Sequence, residues 1–387
     1  MYTIPLVKPI HTYIEIFYRL GFWQKEEESN YRKNGKKFSL VFFYGLFPTF
    51  LIADALLLDD LSESLRVMMI FFGCAIVYIK CLFLIFKQEK IFEYLNDLNR
   101  LFSPNNREEY EQTNKKLKFF SNVFDPYYYV AVITAIGCVA AQLPIFREDH
   151  DELPFFISIS WNDSDIIYYS LFVFITLILI MCVISIMITP LLWYIMFSYS
   201  IAFDLLGNQW KNLGRKEMKK KDHPSHIRRP HRGTFVDELI VLIKSHQNLT
   251  NTVERFKSTF KTLFLGQITI SGILICLSVY NLSVISTDNM FVIQSNAVVL
   301  VYAIADIFMI MYFGNKITDS SDRLGYCLFE SNWIEQTETN KKYVLIMGEI
   351  FKQPLRIVIL IYPLNLETFT AIMNGAYSMF NLLIGYQ

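Results

Sequence analysis

The sequence carries none of the short patterns that mark common enzyme centres. GxxxxGK, GxGxxG, GxSxG, HExxH and CxxC are all absent. Nucleotide binding, acyl transfer, zinc-peptidase and thiol-redox chemistry therefore have no motif to stand on, and catalysis is not expected. The acidic pairs Asp59-Asp60 and Asp149/Asp151 sit in short polar loops with only His150 nearby, so they read as solvated charge. Charge is scarce: Asp, Glu, Lys and Arg make up 19% of the 387 residues and cancel to a formal net charge of zero. No nucleic-acid partner is expected, and the zero net charge conceals an uneven distribution of Lys and Arg along the chain. Cysteine is scarce too. Cys74, Cys81, Cys138, Cys182, Cys276 and Cys327 all fall in or beside apolar stretches, so they read as packing thiols, with no extracellular disulfide expected. The first 23 residues lack a continuous apolar run, being broken by Lys8, His11, Glu15 and Arg19, so no cleavable signal peptide is read there. Cofactors and metals are not expected. His223, His226 and His231 share one polar loop, where solvated side chains are the simpler reading than a metal site.

What the chain has in excess is apolar surface. Hydrophobic residues make up 53% of it, with 34 Phe and 23 Tyr, more than one soluble core can bury. The pattern predicts an all-α integral membrane protein with seven transmembrane helices, at roughly 38–58, 67–86, 127–146, 166–206, 262–285, 291–314 and 358–386. Lys and Arg then segregate. Seven lie in the N-terminal tail, seven in 87–126, nine in 207–235 and six in 315–356, against Arg66 and Arg147 alone in the alternate loops. By the positive-inside rule the N-terminus is cytoplasmic and the C-terminus outside. Three units follow: 1–206 with the tail and the first four helices, a basic cytoplasmic linker at 207–235, and 236–387 with the last three helices. Of the sequons at Asn162, Asn248 and Asn281, only Asn162 lies in an outer loop suited to a glycan.

Two spans are too long for a bilayer. Residues 166–206 carry no charge before Asp204 and would reach about 60 Å as a helix, against a hydrocarbon core of ~30 Å. The flanking loops require an odd number of crossings, so one crossing continues into the cytoplasm, with Pro190 a candidate kink. Upstream of the fifth span, Phe235, Leu239, Leu242, His246, Leu249, Val253, Phe256, Phe260 and Leu263 repeat at 4-3-4-3 spacing. That heptad stripe predicts a long cytoplasmic helix packed within the subunit or against another. Between these extensions, Lys219-Lys220-Lys221, Pro224, Pro230 and Gly233 mark a linker whose cations either set topology or touch anionic lipid.

The last span has one polar side. Thr370, Asn374, Ser378, Asn381 and Gly385 recur at 4, 4, 3 and 4, on a stripe about 60–80° wide. Ile372, Phe380, Leu382 and Leu383 occupy other faces. An uncharged wet stripe on an otherwise lipid-compatible helix suits a pore wall, and one helix cannot enclose a pore, so several subunits are implied. Inside the sixth span Asp306 is either functional or near the inner interface with a basic partner. Lys80 is expected to snorkel and Arg356 to mark the inner mouth of the last span. The outer halves of spans two to six mix rings with small residues: Phe71, Phe72, Ala75, Tyr78; Thr134, Gly137, Cys138, Ala141; Tyr168, Tyr169, Phe172; Val298, Tyr302. Such a mixture suits either an apolar ligand cavity with a few hydroxyl handles or ordinary helix packing.

Near the C-terminus, Tyr312-Phe313-Gly314-Asn315, Ser320-Ser321, Trp333, Pro354, Phe369 and Ala376-Tyr377-Ser378-Met379-Phe380 together resemble the end of insect odorant receptors. The resemblance is specific over residues 300–387; elsewhere it rests on length, seven spans and an inside N-terminus, which gustatory receptors share. It implies a ligand-gated, non-selective cation channel of four subunits in the plasma membrane of an olfactory sensory neuron dendrite. There an odorant-specific subunit joins a shared co-receptor as a heterotetramer. It also implies a small volatile apolar ligand between the outer parts of spans two to six, a cytoplasmic anchor, and a pore lined by Asn374, Tyr377, Ser378 and Asn381. The hydrophobic gate then falls on Ile384, with Tyr386 beside it. Gly385 stands where the co-receptor pattern has Gln, and the 207–233 loop lacks the co-receptor's long insertion, so the resemblance is to an odorant-tuning subunit. The rival readings are a homomeric gustatory-type channel and, in another class, a transporter using Asp306.

Overall fold

The computed structural model describes residues 8–24, 29–59, 61–101, 107–141, 165–214, 234–284 and 290–385. Asn162, Tyr386 and the histidines of the linker fall outside them, as do the side chains of Thr134, Cys138, Ala141, Tyr168 and Ile384 and the surroundings of Gly385. The described chain is helical except for one small hairpin. In order it runs α1 Lys8–Arg19, α2 Asn30–Leu57, α3 Leu61–Phe86, α4 Gln88–Leu101, α5 Arg107–Ala141, α6 Asp165–Ile186 and α7 Ile188–Lys211. Then follow α8 Thr234–Val284, α9 Met290–Phe329, α10 Glu338–Phe351, β1 Val358–Ile359, β2 Tyr362–Pro363 and α11 Leu366–Gly385.

Among the described residues, five stretches are long and apolar enough to cross a membrane: Asn30–Leu57, Glu63–Phe86, Tyr169–Lys211, Phe235–Ser283 and Asn296–Phe329. The other two expected spans correspond to the apolar second half of α5 and to α11. The fourth span is interrupted once, at Met187, whose N–H turns back to the Ile184 carbonyl at 3.1 Å. Pro190 explains the position: it has no N–H for the carbonyl of residue 186, and its ring crowds that oxygen.

The helix α8 runs unbroken for 51 residues, about 76 Å at 1.5 Å per residue, more than twice a bilayer core. Its heptad stripe is buried within the chain. Phe235, Leu239, Leu242, Leu249, Val253, Phe256, Phe260 and Leu263 all join the main core, so the stripe is explained by packing inside one subunit. Around Phe256 the rings of Tyr94, Tyr199, Phe260 and Phe264 meet at centroid distances of 5.0–6.4 Å, and Trp210 closes on Phe351 at 5.4 Å. Ion pairs frame this inner region: Lys116–Asp204 at 2.6 Å, Arg255–Glu93 at 2.9 Å and Lys211–Glu330 at 2.6 Å.

The final span is shorter than its hydropathy suggested. Residues 358–363 do not continue the helix; they form a two-stranded hairpin pairing Val358 with Pro363 and Ile359 with Tyr362. Two local causes explain the correction from 358–386 to 366–385. Pro363 has no N–H and drives the preceding residue to extended backbone, while Leu360 takes the left-handed region at φ 57°. Asn365 then starts the helix: its side-chain oxygen accepts the Thr368 N–H at 2.9 Å, an N-cap that satisfies one of the free donors of the first turn. Arg356 is exposed in the extended chain ahead of the hairpin.

Candidate functional site

The α11 stripe emerges as a free surface of the subunit. Thr370, Asn374, Ser378 and Asn381 are all exposed, and Tyr377 beside them is 64% exposed. Ala376 is buried on the other side, with Phe369, Ile372 and Met373 packed against the core. The hydroxyls are already satisfied within the helix: Thr370 Oγ1 donates to the Leu366 carbonyl at 2.8 Å and Ser378 Oγ to the Asn374 carbonyl at 2.9 Å. What the stripe presents outward is thus weakly polar and uncharged, with the Asn374 and Asn381 amides as its strongest dipoles. Ile384 and Gly385 continue the helix, and Tyr386 follows it.

The C-terminal motif residues fix this helix to the bundle. A side chain on Gly314 would lie 2.5 Å from both Cβ and the carbonyl oxygen of Leu364, so only glycine lets the hairpin's exit sit against α9. Ser321 Oγ accepts the Leu355 N–H at 3.0 Å ahead of the hairpin. Phe369 meets Phe308 edge-on at 5.4 Å. On α8, Ile372 of α11 lies 3.8 Å from where a side chain on Gly272 would begin. Composition could not show that these residues act together as the mount of α11.

Where α3, α8 and α9 meet, polar side chains appear at two depths. At the lower, Lys80 Nζ and Asp306 Oδ2 form an ion pair of 2.8 Å, with the two side chains 2% and 0% exposed. Gln267 of α8 donates to the same carboxylate oxygen and also to Ser271 Oγ at 3.3 Å. Among the described residues, Asp306 Oδ1 has no hydrogen-bond partner. Lys80 thus does not snorkel. The apolar bundle surrounds its whole stem, and a carboxylate one helix away is a better partner than a distant interface. Asp306 has the basic partner that one of its two readings required, supplied by a helix 226 residues away in sequence. Tyr302 sits over the pair, 5.8 Å from Lys80 Nζ to the ring centroid, and stacks on Tyr127 at 5.9 Å.

At the upper depth Ser278 Oγ donates to Met69 Sδ at 3.5 Å. Asn281 Nδ2 reaches the same sulfur at 3.6 Å and Asn296 Oδ1 at 3.5 Å. Asn281 is buried inside α8, so this sequon is no glycan acceptor; its amide points into the bundle. Sequence reasoning missed Met69, Gln267, Ser271, Ser278 and the role of Asn281. Each is a lone polar or flexible residue in an apolar run, and the only signal was that it was there.

The expected ligand residues divide. Phe72 and Tyr78 pack on the main core, whereas Phe71, 5.3 Å from Phe72 between centroids, turns with Cys74 toward a second cluster between α2, α3 and α6. Ala75, Phe172, Val298 and Tyr302 are half-buried. Gly137 and Tyr169 are exposed, Tyr169 at 57%, on the faces of α5 and α6 that also expose Ile133, Ile166, Val173 and Leu177. A separate groove of about 360 Å³ lies far from all of these, between α8 and α10, lined by His246, Thr250, Met347 and Ile350 among others.

Comparison with known proteins places this architecture. Residues 60–377 match the family model described as 7tm Odorant receptor. Odorant receptor 94a of Drosophila melanogaster is 25% identical over 73% of this chain and 70% of its own length. Odorant receptor Or1 of Anopheles gambiae is 24% identical over 94% and 92% respectively. The structure of the insect olfactory receptor OR5 from Machilis hrabei superposes with a TM-score of 0.73 at 13% identity, over 98% of this chain and 99% of that one. Its complex with eugenol superposes at 0.70 and 14%, over 98% and 97%. These relatives are receptors and not enzymes, and the chain belongs to the 7tm odorant receptor family.

Proposed function

We propose that this protein is the odorant-tuning subunit of a ligand-gated, non-selective cation channel, assembled as a heterotetramer with the odorant receptor co-receptor in a multi-pass plasma-membrane complex of sensory dendrites. The observation that carries the reading is α11. A helix mounted on one side by Phe369, Ile372 and Ala376 leaves Thr370, Asn374, Ser378 and Asn381 as an uncharged polar stripe that no described residue covers. Such a stripe suits a water-filled axis shared among subunits, and its lack of charge suits weak ion selectivity. In this reading the N-terminus is cytoplasmic, the C-terminus outside, and Ile384 and Tyr386 stand at the outer constriction. The exposed apolar side chains of α10, Tyr343, Leu345, Ile346 and Ile350, interleave with Lys341, Lys342 and Glu349 and suit a contact between subunits.

A small volatile that binds better to the state with α11 helices spread shifts the population toward opening. The OR5 structure with eugenol is of a relative holding such a molecule. By analogy the ligand here lies among Phe72, Ala75, Tyr78, Val298 and Tyr302, with residues of α5 and α6 completing the wall. Four subunits share one pore, so each need supply only about 1–2 kcal/mol of differential binding. The test is current from cells expressing this chain with and without the co-receptor, over a panel of small volatiles. Odorant-evoked cation current is expected with both subunits present, and Ile384→Ala is expected to raise basal current. Saturable uptake with no conductance would sink the channel reading. Unchanged basal and evoked currents would remove Ile384 from the gate.

A further inference from the structure

The two polar depths of the α3–α8–α9 seam are bonded very differently. At the lower one, a lysine, a carboxylate and an amide satisfy one another through charge-assisted hydrogen bonds. At the upper one, eleven residues and about 16 Å along α3 from Lys80, the donors outrank their acceptor. The Ser278 hydroxyl and the Asn281 amide both rest on Met69 Sδ, at 3.5 and 3.6 Å, and the amide's contact with Asn296 Oδ1 is at the 3.5 Å limit. A thioether is a weak acceptor. Ser278 is fully buried and Asn281 is 5% exposed, so water does not make up the difference. Two good donors are held in an apolar site with a poor partner, and that partner is an adaptable, unbranched side chain with three rotatable bonds.

The surroundings are apolar: Phe72 lies one turn from Met69 on α3 and packs on the main core. The side-chain partners of Ser278 and Asn281 are the Met69 sulfur and the Asn296 amide oxygen, both uncharged. We infer that Ser278 and Asn281 form the polar end of the odorant site and select uncharged ligands that carry an oxygen acceptor, such as ketones, aldehydes, esters or ethers. The ligand oxygen takes the place of the Met69 sulfur between the hydroxyl and the amide, while its hydrocarbon part lies along Phe72. This rests on the odorant-receptor reading proposed above and adds to it the chemical class of the ligand. A hydrocarbon gains nothing at these donors, and a protonated amine finds no carboxylate there.

The experiment measures EC50 in cells expressing the chain with the co-receptor, for a methyl ketone and a methyl ester against the alkene of equal length. Asn281→Leu is close in volume and removes a poorly bonded polar group, so the subunit should still reach the surface. It should raise the EC50 of the oxygenated ligands about tenfold while leaving the alkene within about threefold, the size expected of one hydrogen bond. Ser278→Ala should do the same more weakly. Met69→Leu, which takes away the competing acceptor, should lower the EC50 of the oxygenated ligands. If Asn281→Leu does not reach the surface, Ser278→Ala and Met69→Leu decide the matter by their opposite signs. Equal shifts for both ligand classes, no shift for either, or a receptor whose agonists are all hydrocarbons or amines would overturn the assignment. Wild-type complexes that give no odorant current at all would instead overturn the channel reading.

Discussion

In the proposed topology the bundle has an inner and an outer half, and the two are built from different materials. The inner half, where α4, α7, α8 and α9 meet, is a continuous stack of rings and aliphatic side chains bounded by ion pairs such as Arg255–Glu93 and Lys116–Asp204. The outer half exposes Val130, Ile133 and Ile136 on α5, and Ile166, Tyr169, Val173, Leu177 and Ile180 on α6. The α6 set recurs every three or four residues, so it is one helix face, and in a membrane that face meets lipid. Between helices of the outer half, packing relies on a small cluster around Phe47, Leu51, Val67 and Ile175. The lesson is a division of labour. Interlocked rings fill one half, while the helices of the other turn whole apolar faces outward.

The strongest way to break that contrast is at the junction of the halves. Lys80→Met leaves the Asp306 carboxylate buried with only Gln267, and an uncompensated buried charge costs about 3–5 kcal/mol. Either single variant, Lys80→Met or Asp306→Leu, should lose most surface-delivered protein by extracellular labelling. The double variant, which removes both charges, should recover it. Singles that reach the surface at wild-type levels would mean the pair is dispensable.

An effect of similar size separates the halves directly. Phe256 is fully enclosed by four rings, so Phe256→Ala should cost about 3–5 kcal/mol, whereas Leu177→Ala on the exposed face of α6 should change stability by less than about 0.5 kcal/mol. Thermal unfolding of the detergent-purified protein reads both. Similar shifts for the two would erase the distinction.

The least effect sharpens the inner half alone. Burial between α8 and α10, edge-on to Phe351 at 5.1 Å, pushes the His246 imidazole below its ordinary value. Its neutral form is therefore the one the fold prefers. The unfolded chain binds the proton more readily, so stability is complete above the unfolded value of about 6.5 and declines as pH falls below it. Lowering the pH from neutral should lower the melting temperature, and His246→Gln should flatten that slope. An equal slope in both proteins would assign the dependence elsewhere.

The parts legible in the sequence were those set by periodicity. The long α8 and its stripe, the fused fourth span with its break near Pro190, and the polar side of α11 all repeat at helical spacing, which the sequence displays directly. What escaped depends on pairs far apart in the chain. Lys80 looked like a snorkelling residue because nothing local hints at Asp306. Asn281 looked like a sequon because its neighbours, and not its environment, define one. The hairpin was absorbed into the last span because Val358 to Pro363 is as apolar as a helix; only the Pro363–Asn365 punctuation argued otherwise, and hydropathy is blind to it. Ligand residues were the least legible, since a ring beside a small residue looks the same whether it faces a neighbour, a cavity or lipid, as Phe72 and Tyr169 show.

One contact has a mechanical reading. At Gly314 the backbone of α9 meets the carbonyl and Cβ of Leu364 at the hairpin exit, with no side chain of its own between them. Side chains act as springs: they change rotamer and absorb small displacements before a neighbour feels them. Where two main chains touch directly there is no such play, like a gear without backlash. A fraction of an ångström of travel in α9 at this point must arrive at the foot of the polar helix as a fraction of an ångström of travel there.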